Sequence, residues 1–542
     1  MRNFKFTKVK VSQRIPKYLE IGIEDFENHL LELISNKDLL DSLNINLIQD
    51  SSDKVRDKLN ENKEGYMINS SGISSDTNEK LSINIKSLKH RGLLYGCYGF
   101  LHYLGVRWYF PGERFVLNDD YENFLRKLTS ELNICSIPAF KKRGVVIFRE
   151  NTLFNEWLKY LVRNRMNYIV LHSEEGLQEA EHIYNHFGLF ISLEEHLFDN
   201  KACPYNPKEF KTAYQKVTRK LEKIPVNPDT TKKELYFWLA DTVIRSCSCS
   251  QHEGWNAGEV HLDLVNHLLR KLNEKNSSIK FSWLAYMGSF EPIRNPEPHK
   301  NAILEIAPMH RCFSHSIIDP NCTLNQKKVL SPIEQLKGHF KPENRQVLGY
   351  WLDSSLFGRQ EYLIGGWANK KEWGRIPHIP FIMQDDIQYY KKNKFERILT
   401  FAVNLGKKYI ESYTSPMVHL YPLLCWNPAT NITEELQRFN FYYLNLPQTS
   451  SFFLKEDKLD PKEMSLKQLR AFYKKWNDFM GYLNHNYSDI KQKLGKNDFK
   501  KRMNRLIVEY KKINLLKRRY VFGKLMGHLW QKGLEILNLL LT

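Results

Sequence analysis

The sequence predicts an α/β protein whose central unit is a (β/α)8 barrel of the TIM type. Eight short apolar segments lie between residues 144 and 403, and stretches of helical length separate them. Strands that are apolar throughout and alternate with helices are typical of a parallel sheet, and eight of them predict a closed barrel. The chain has 542 residues, too many for one ordinary core, so further domains are expected.

Residues 1–135 are predicted to form a small α/β domain. The segments "FENHLLELI" and "DKVRDKLNE" have helical spacing, "KLSINIK" alternates like a strand, and "RGLLYGCYGFLHYLG" predicts a helix that ends at Gly105. The following "YGFLHYLGVRWYFPGE" (98–113) is rich in aromatic rings. Packing between this domain and the barrel is the favoured interpretation. In the alternative the rings form a platform for a sugar, and Arg107 and Trp108 could edge the cleft.

Residues 136–435 are predicted to form the barrel. Its strands are "GVVIF" (144–148), "NYIVLHS" (167–173), "LFISL" (189–193), "ELYFWLAD" (234–241), "IKFSWLAYM" (279–287), "AILEIAPM" (302–309), "QVLGYWLD" (346–353) and "RILTFAV" (397–403). Several connections are long and rich in Pro, Gly and aromatic residues, which fits loops that form a cleft. The pattern then becomes helical and predicts a third domain over residues 436–542.

The formal net charge of +19 raises the question of a nucleic-acid partner. Residues 455–542 hold 21 Lys and Arg against 9 Asp and Glu, on the polar faces of helix-like segments. A solvated helix face is the favoured interpretation, and contact with an anionic polymer is the alternative. No nucleic-acid recognition motif accompanies the charge, so no nucleic-acid partner is expected.

The eight cysteines are spread through the chain and do not form a disulfide framework. The first residues have no apolar signal region, and no window approaches a transmembrane segment. The sequence as it stands therefore predicts a cytoplasmic protein without a membrane contact. A periplasmic or secreted location is expected if a signal peptide was trimmed.

Polar residues at the carboxyl ends of barrel strands are the candidate site, because the active face of such barrels lies there. Asp241 and Asp353 are the predicted catalytic pair, since glycoside cleavage needs two carboxylates. Helix capping is the alternative for Asp241. The predicted substrate-binding residues are Arg149, His172, His196, Trp283, Tyr286, His310, Arg311, Tyr350 and Trp351. Core filling is the alternative for each aromatic ring.

Two further motifs have simpler interpretations. Cys247, Cys249 and His252 offer three zinc ligands, with His261 or Cys312 as a possible fourth, but free thiols in a loop are favoured and no metal is predicted. The pair in "QDDIQYY", Asp385 and Asp386, is predicted to lie in the first turn of a helix.

The ordered set "LLYGCYGFLHYLGVRWYFPGE", "PAFKKRG", "WLKYLVRNRMNYIVLHS", "LADTVIRSCSC", "LAYMGSFEPI", "APMHRCFSH", "YWLDSSLFG" and "LTFAV" resembles a bacterial family first catalogued as a domain of unknown function. That family includes endo-β-N-acetylglucosaminidases acting on complex N-glycans, and its domain order resembles that of hexosaminidases and α-glucuronidases. The resemblance covers about residues 1 to 440.

The resemblance implies a glycoside hydrolase that needs neither metal nor organic cofactor. In the hexosaminidase-like scheme the acetamido oxygen of the substrate attacks the anomeric carbon, one acid protonates the leaving oxygen, and a second carboxylate steadies the acetamido nitrogen. By position, Asp241 would be acid or polariser and Asp353 its partner, while His310 and Arg311 would orient the sugar.

This sequence departs from the family pattern in three places. Thr242 follows Asp241 where the family has Gly, His252 replaces a third Cys, and "SLEEHL", with His196, replaces a Gly-Gly-His-like turn. The alternative function is therefore a non-catalytic or biosynthetic protein that binds an acidic polysaccharide.

Overall fold

The computed structural model describes residues 4–11, 14–71, 81–117, 119–148, 151–172, 174–198, 202–224, 233–239, 247, 249–274, 279–286, 289–354, 376, 379–403, 405–407 and 415–443. Residues 444–542, which hold most of the predicted C-terminal domain and its basic segment, lie outside this set. Within the described ranges no helix combines the length and apolar character needed to span a bilayer.

The N-terminal domain is a five-stranded mixed sheet with helices. Its elements are β1 (Thr7–Lys10), α1 (Lys17–Leu33), α2 (Lys37–Ser42), β2 (Asn44–Gln49), α3 (Asp53–Lys58), β3 (Tyr66–Ser71), β4 (Ser82–Ser87), α4 (His90–Tyr103), β5 (Val106–Arg107), β6 (Val116–Leu117), α5 (Tyr121–Thr129) and β7 (Glu131–Ser136). The strand order is β1-β2-β4-β3-β7, and β5 pairs with β6 separately. The predicted helices and β4 are confirmed, whereas the sequence pattern did not reveal the other strands of the sheet.

Residues 142–401 contain a closed barrel of eight parallel strands, which confirms the predicted fold class. Its elements are β8 (Lys142–Ile147), α6 (Phe154–Arg163), β9 (Tyr168–Leu171), α7 (Ala180–Phe187), β10 (Phe190–Phe198), α8 (Pro207–Lys223), β11 (Glu234–Leu239), α9 (Ala257–Asn273), β12 (Lys280–Ala285), β13 (Ala302–Ile306), α10 (Thr323–Asn325), α11 (Ser331–His339), β14 (Arg345–Gly349), α12 (Pro380–Lys392) and β15 (Arg397–Phe401). Pairing of β15 with β8 closes the barrel. The helices α13 (Met417–Trp426) and α14 (Ile432–Arg438) follow it.

The aromatic segment 98–113 packs between the N-terminal domain and the barrel, as the favoured interpretation predicted. Tyr109 is fully buried, with its ring 4.6 Å from that of His419 and 4.8 Å from that of Phe439. Arg107 does not edge the cleft, because its Nη2 donates a 3.0 Å hydrogen bond to Glu435 in a buried ion pair. The predicted turn at Gly105 has a φ of 101°, which favours glycine.

Gly144 on β8 lies where a methyl group has no room. A Cβ there would be 2.2 Å from the backbone oxygen of Tyr168 on the neighbouring strand. Since backbone cannot move aside cheaply, we expect Gly144→Ala to lower the free energy of unfolding by about 1–3 kcal/mol. Gly338 on α11 is the matched control, because nothing lies within 4 Å of its Cβ position. Denaturant unfolding of both variants checks this, and a Gly144→Ala protein as stable as the wild type would contradict it.

Candidate functional site

Glu305 occupies the interior of the barrel near the carboxyl ends of its strands. Its Oε2 accepts hydrogen bonds from the Ser282 hydroxyl and from Nε1 of Trp238, at 3.0 Å for the indole. Its Oε1 accepts a 2.6 Å bond from the Gln346 side-chain amide. The side chains in this network come from four consecutive strands, β11 to β14, so they hold the carboxyl group in one position.

The surroundings of Glu305 favour its protonated form. Burial, assisted by the nearby Glu194, raises the pKa of Glu305 to about 7, although hydrogen bonds from Ser282, Gln346 and Trp238 act in the opposite direction. A carboxyl group with a pKa near neutrality is a feature of sites that use a carboxylic acid as proton donor.

Glu194 and His172 form a second polar pair at the end of β9 and in β10. Nδ1 of His172 lies 2.7 Å from Oε1 of Glu194, and burial raises the pKa of this carboxyl group. The His172 side chain is 31% exposed whereas that of Glu194 is buried. The imidazole therefore lies between the buried carboxyl group and solvent at the carboxyl ends of the barrel strands, which we call the mouth of the barrel.

Tyr350 directly follows β14, the seventh barrel strand. The Tyr350 ring stacks on Phe401 at 5.3 Å between centroids. Burial raises the pKa of the Tyr350 phenol well above its usual value, and the nearby Tyr286, Asp353, Glu194 and Glu305 add to this shift.

Asp353 itself lies in the turn that follows β14. Its backbone N–H donates to the carbonyl oxygen of Tyr350 at 3.3 Å, and the residue is 4% exposed. The predicted catalytic partner, Asp241, lies outside the described residues, as does Arg149. β11 ends at Leu239, directly before the segment that carries Asp241.

Two other predicted binding residues lie near the same mouth. The imidazole of His196 packs edge-on against Trp238 with ring centroids 5.4 Å apart. The hydroxyl of Tyr286 donates to the Met309 sulfur at 3.5 Å, and the tyrosine is half-buried. The structure thus places five predicted residues at or shortly after the carboxyl ends of barrel strands, namely His172, His196, Tyr286, Tyr350 and Asp353.

Trp283 and Trp351 do not face this region, which contradicts their prediction as sugar-stacking rings. Trp283 is fully buried, stacks on Phe340, and donates to the Gly258 carbonyl at 3.1 Å. Trp351 donates to Asp386 at 3.1 Å and packs on helix α12. Because successive side chains alternate along a strand, the inward position of Ser282 turns its neighbour Trp283 outward.

Arg311 does not face the mouth, contrary to the prediction that it orients a sugar, whereas the same prediction for His310 stays a prediction. Arg311 is buried and makes a bidentate ion pair with Asp386. His310 is exposed. The first-turn prediction for Asp385 and Asp386 is wrong as well, because α12 begins at Pro380 and Asp386 lies in its second turn.

Three residues near this end of the barrel were not predicted from the sequence, namely Glu194, Glu305 and Trp238. A signal was present, since "AILEI" and "FISLEEHLF" each place a glutamate inside an apolar strand. Burying a charge is costly without compensation, so a carboxyl group inside an apolar run is a candidate functional or network residue.

Two clusters of cysteine and histidine side chains lie in loops that follow barrel strands. One consists of Cys203, Cys247, Cys249 and His252, and the other of Cys312, His315 and Cys322. Cys203 is the fourth member of the first cluster. The two residues suggested from the sequence as a fourth ligand, His261 and Cys312, do not belong to it. All eight cysteines lie in the described part of the chain, and none forms a disulfide.

Glu305 makes the stability of the protein depend on pH. Its folded-state pKa of about 7 lies above the 4.5 of an unperturbed glutamate, so the folded state retains the proton more strongly. This contribution, about 3 kcal/mol, is fully present below pH 4.5 and is lost as the pH rises through 7. Glu305→Gln stays neutral at every pH, so we expect the wild type to lose stability relative to this variant over that interval. Parallel curves of unfolding free energy against pH would contradict the shift.

No family model matches the sequence, and no curated protein matches it either. One solved structure with a similar fold is a family GH115 4-O-methyl-α-glucuronidase with specificity for decorated arabinogalactans. Its sequence is 12% identical to this one, and the TM-score is 0.49. The alignment covers 81% of this chain and 59% of that chain. The present chain therefore spans less than two thirds of that protein.

Two further solved structures are similar in the same sense. A GH89 enzyme from Clostridium perfringens, in complex with its substrate GlcNAc-α-1,4-galactose, has 10% identity, covers 79% of this chain and 50% of its own, and has a TM-score of 0.41. A GH138 enzyme targeting pectin rhamnogalacturonan II has 12% identity, coverage of 82% and 67%, and a TM-score of 0.34. All three are glycoside hydrolases. Likenesses at this level carry no argument about substrate or mechanism, and membership of the resembled bacterial family stays a prediction.

Proposed function

We propose that the chain is a glycoside hydrolase that acts on glycans containing N-acetylhexosamine. The observation that carries the proposal is a set of buried carboxyl groups: Glu194 paired with His172, Glu305 in its hydrogen-bond network, and Asp353 in the turn at the carboxyl end of β14. Carboxyl groups grouped at this end of a barrel are what glycosidic bond cleavage requires.

The proposed mechanism is substrate-assisted and uses a pair of carboxylates. Asp353 steadies the acetamido nitrogen while the acetamido oxygen attacks the anomeric carbon, and Asp241 protonates the departing oxygen. The bond from the anomeric carbon to the leaving oxygen breaks as the ring to the acetamido oxygen forms, and water later opens that ring. This scheme requires neither metal nor organic cofactor in the reaction itself.

The other groups at the mouth have supporting roles in this proposal. His172 is exposed enough to contact a sugar hydroxyl, and Glu194 orients it through the 2.7 Å contact. Glu305 is a positioning residue, because it is buried and both of its oxygens already accept hydrogen bonds.

A released-sugar assay run beside a glycan array tests the proposal. The substrates are chitooligosaccharides and a glycoprotein bearing complex N-glycans, with a polyuronate as the acidic polysaccharide. We expect new reducing ends from the N-acetylhexosamine substrates. Binding without cleavage would instead support the non-catalytic alternative. Cleavage of only those sugars that lack an acetamido group would contradict the proposed N-acetylhexosamine substrate but not the proposed hydrolase activity.

A further inference from the structure

We propose that Cys203, Cys247, Cys249 and His252 bind one zinc ion, which joins the loops after the third and fourth barrel strands. Cys203 lies between β10 and α8, and the other three residues lie between β11 and α9. This proposal is independent of the proposed hydrolase activity, since it concerns a structural metal and not the reaction.

The donor atoms have the spacing of a tetrahedral zinc site. Sγ of Cys203 lies 3.8 Å from Sγ of Cys249 and 3.8 Å from Nδ1 of His252, and the Cys249 sulfur lies 3.4 Å from the same nitrogen. The four donor atoms, including that of Cys247, lie within 4.8 Å of one another. Zinc holds sulfur at about 2.3 Å and nitrogen at about 2.0–2.1 Å, which places tetrahedral donors about 3.5–3.8 Å apart.

His252 is oriented as a metal-binding histidine would be. Its Nε2 lies 3.1 Å from Oδ2 of Asp263, a buried carboxylate on α9. Donation of the Nε2 proton to Asp263 leaves the lone pair of Nδ1 directed at the two cysteine sulfurs. A carboxylate behind a ligating imidazole fixes its tautomer and increases its basicity, and this arrangement recurs at zinc sites.

The backbone around the cluster suits thiolate ligands. The N–H of Cys249 donates to the Cys247 sulfur at 3.5 Å, and the N–H of His252 donates to the Cys249 carbonyl at 3.1 Å, which forms a tight turn. His252 is 1% exposed, and the rings of Tyr205 and Trp255 lie 5.2 and 4.9 Å from its centroid. A site with four protein ligands is typical of structural zinc, since catalytic zinc keeps one position open for water or substrate.

A disulfide is the main competing use of these cysteines. The 3.8 Å separation of the Cys203 and Cys249 sulfurs is much longer than the roughly 2.05 Å of a disulfide bond. A disulfide would also leave Cys247 and the oriented imidazole without a role. Zinc uses all four donors.

The location gives the metal a function within the barrel. Asp241 precedes Cys247 by six residues in the sequence, and Cys203 follows the strand that carries Glu194 and His196. A zinc ion would therefore fix the position of Cys247, six residues after Asp241 in the sequence. Loops that carry site residues gain precision when they are fixed to a rigid neighbour.

The test is the zinc content of the full chain purified without added metal and passed through a weak chelator. We expect one zinc per chain, and X-ray absorption at the zinc edge should show three sulfur neighbours at about 2.3 Å and one nitrogen at about 2.0–2.1 Å. Cys249→Ser and His252→Ala should each lower the zinc content at least tenfold. Cys135→Ser, in the N-terminal domain, is the matched control and should retain the metal.

Several outcomes would overturn the proposal. These are a zinc-free wild-type chain that takes up no zinc after reduction, a denatured mass showing the loss of two hydrogens through a Cys203–Cys249 disulfide, or absorption data with mostly oxygen neighbours. Zinc that survives Cys249→Ser and disappears with Cys312→Ser would assign the metal to the second cluster instead. Because the wild-type stoichiometry and absorption data need no variant, misfolding of a variant leaves the test intact.

Discussion

Asp353→Asn is expected to lower the turnover of an N-acetylhexosaminide at least about a hundredfold without unfolding the protein. The substitution keeps the shape of the side chain and removes the charge that steadies the acetamido nitrogen as positive charge develops there. Since that interaction strengthens in the transition state, the loss should appear in kcat more than in KM. Asp241→Asn should lower turnover by a similar factor through loss of the proton donor.

Substrates with different leaving groups distinguish the role of Asp241 as proton donor from the role of Asp353 in steadying the acetamido group. A sugar whose leaving group departs without protonation should restore most of the activity of Asp241→Asn and little of that of Asp353→Asn. Asp385→Asn is the matched control, because Asp385 is exposed on α12. Circular dichroism checks the fold of each variant. Normal turnover in both Asp241→Asn and Asp353→Asn would remove these residues from the mechanism.

Asp386→Ala is expected to lower the free energy of unfolding by about 3–5 kcal/mol. Asp386 is fully buried and accepts hydrogen bonds from Arg311, from the Trp351 indole at 3.1 Å and from the Ile317 backbone N–H at 2.9 Å. Removing the carboxylate leaves the Arg311 guanidinium buried without its counter-charge. This single side chain joins helix α12 to the loop after β13 and to the segment after β14.

Denaturant unfolding measures this loss, with Asp385→Ala as the matched control from the adjacent position. We expect the control to change the unfolding free energy by no more than about 0.5 kcal/mol, as for ordinary surface substitutions. Equal stabilities of the two variants would show that the Arg311–Asp386 pair does not hold these elements together.

The barrel could be predicted because parallel strands covered by helices are apolar on both faces. Eight such runs, from "GVVIF" to "RILTFAV", identify the strands without any knowledge of their partners. The N-terminal sheet was harder to predict, since strands such as β2 and β3 are short and mix polar with apolar residues. Propensity carries little information for segments of that kind.

The site was predicted less completely for the same physical reason. A strand that is apolar throughout shows no alternation of polar and apolar residues. Its sequence therefore does not reveal whether Trp283 or its neighbour Ser282 points into the barrel. The structure turns Ser282 inward and Trp283 outward. The position of Tyr350 and Asp353 after β14 could be predicted from the sequence, because residues that follow a strand reach its carboxyl end whichever face the strand presents.

The ligand set of the proposed zinc site shows a second limit of sequence reasoning. Cys247, Cys249 and His252 are close in the sequence, whereas Cys203 comes from a different loop. Only the parallel pairing of β10 with β11 brings it to the others. Nothing in the local sequence distinguishes Cys203 from Cys312 as the fourth donor.

A crystal structure of the Asp353→Asn protein with a bound N-acetylglucosamine oligosaccharide tests the central claim most directly. We expect the anomeric carbon of one sugar to lie inside the barrel mouth beside residue 353, with Asp241 on the leaving-group side and Tyr350 in contact with the ring. An oligosaccharide bound away from the carboxyl ends of the barrel strands, or an acetamido group directed away from residue 353, would contradict the account.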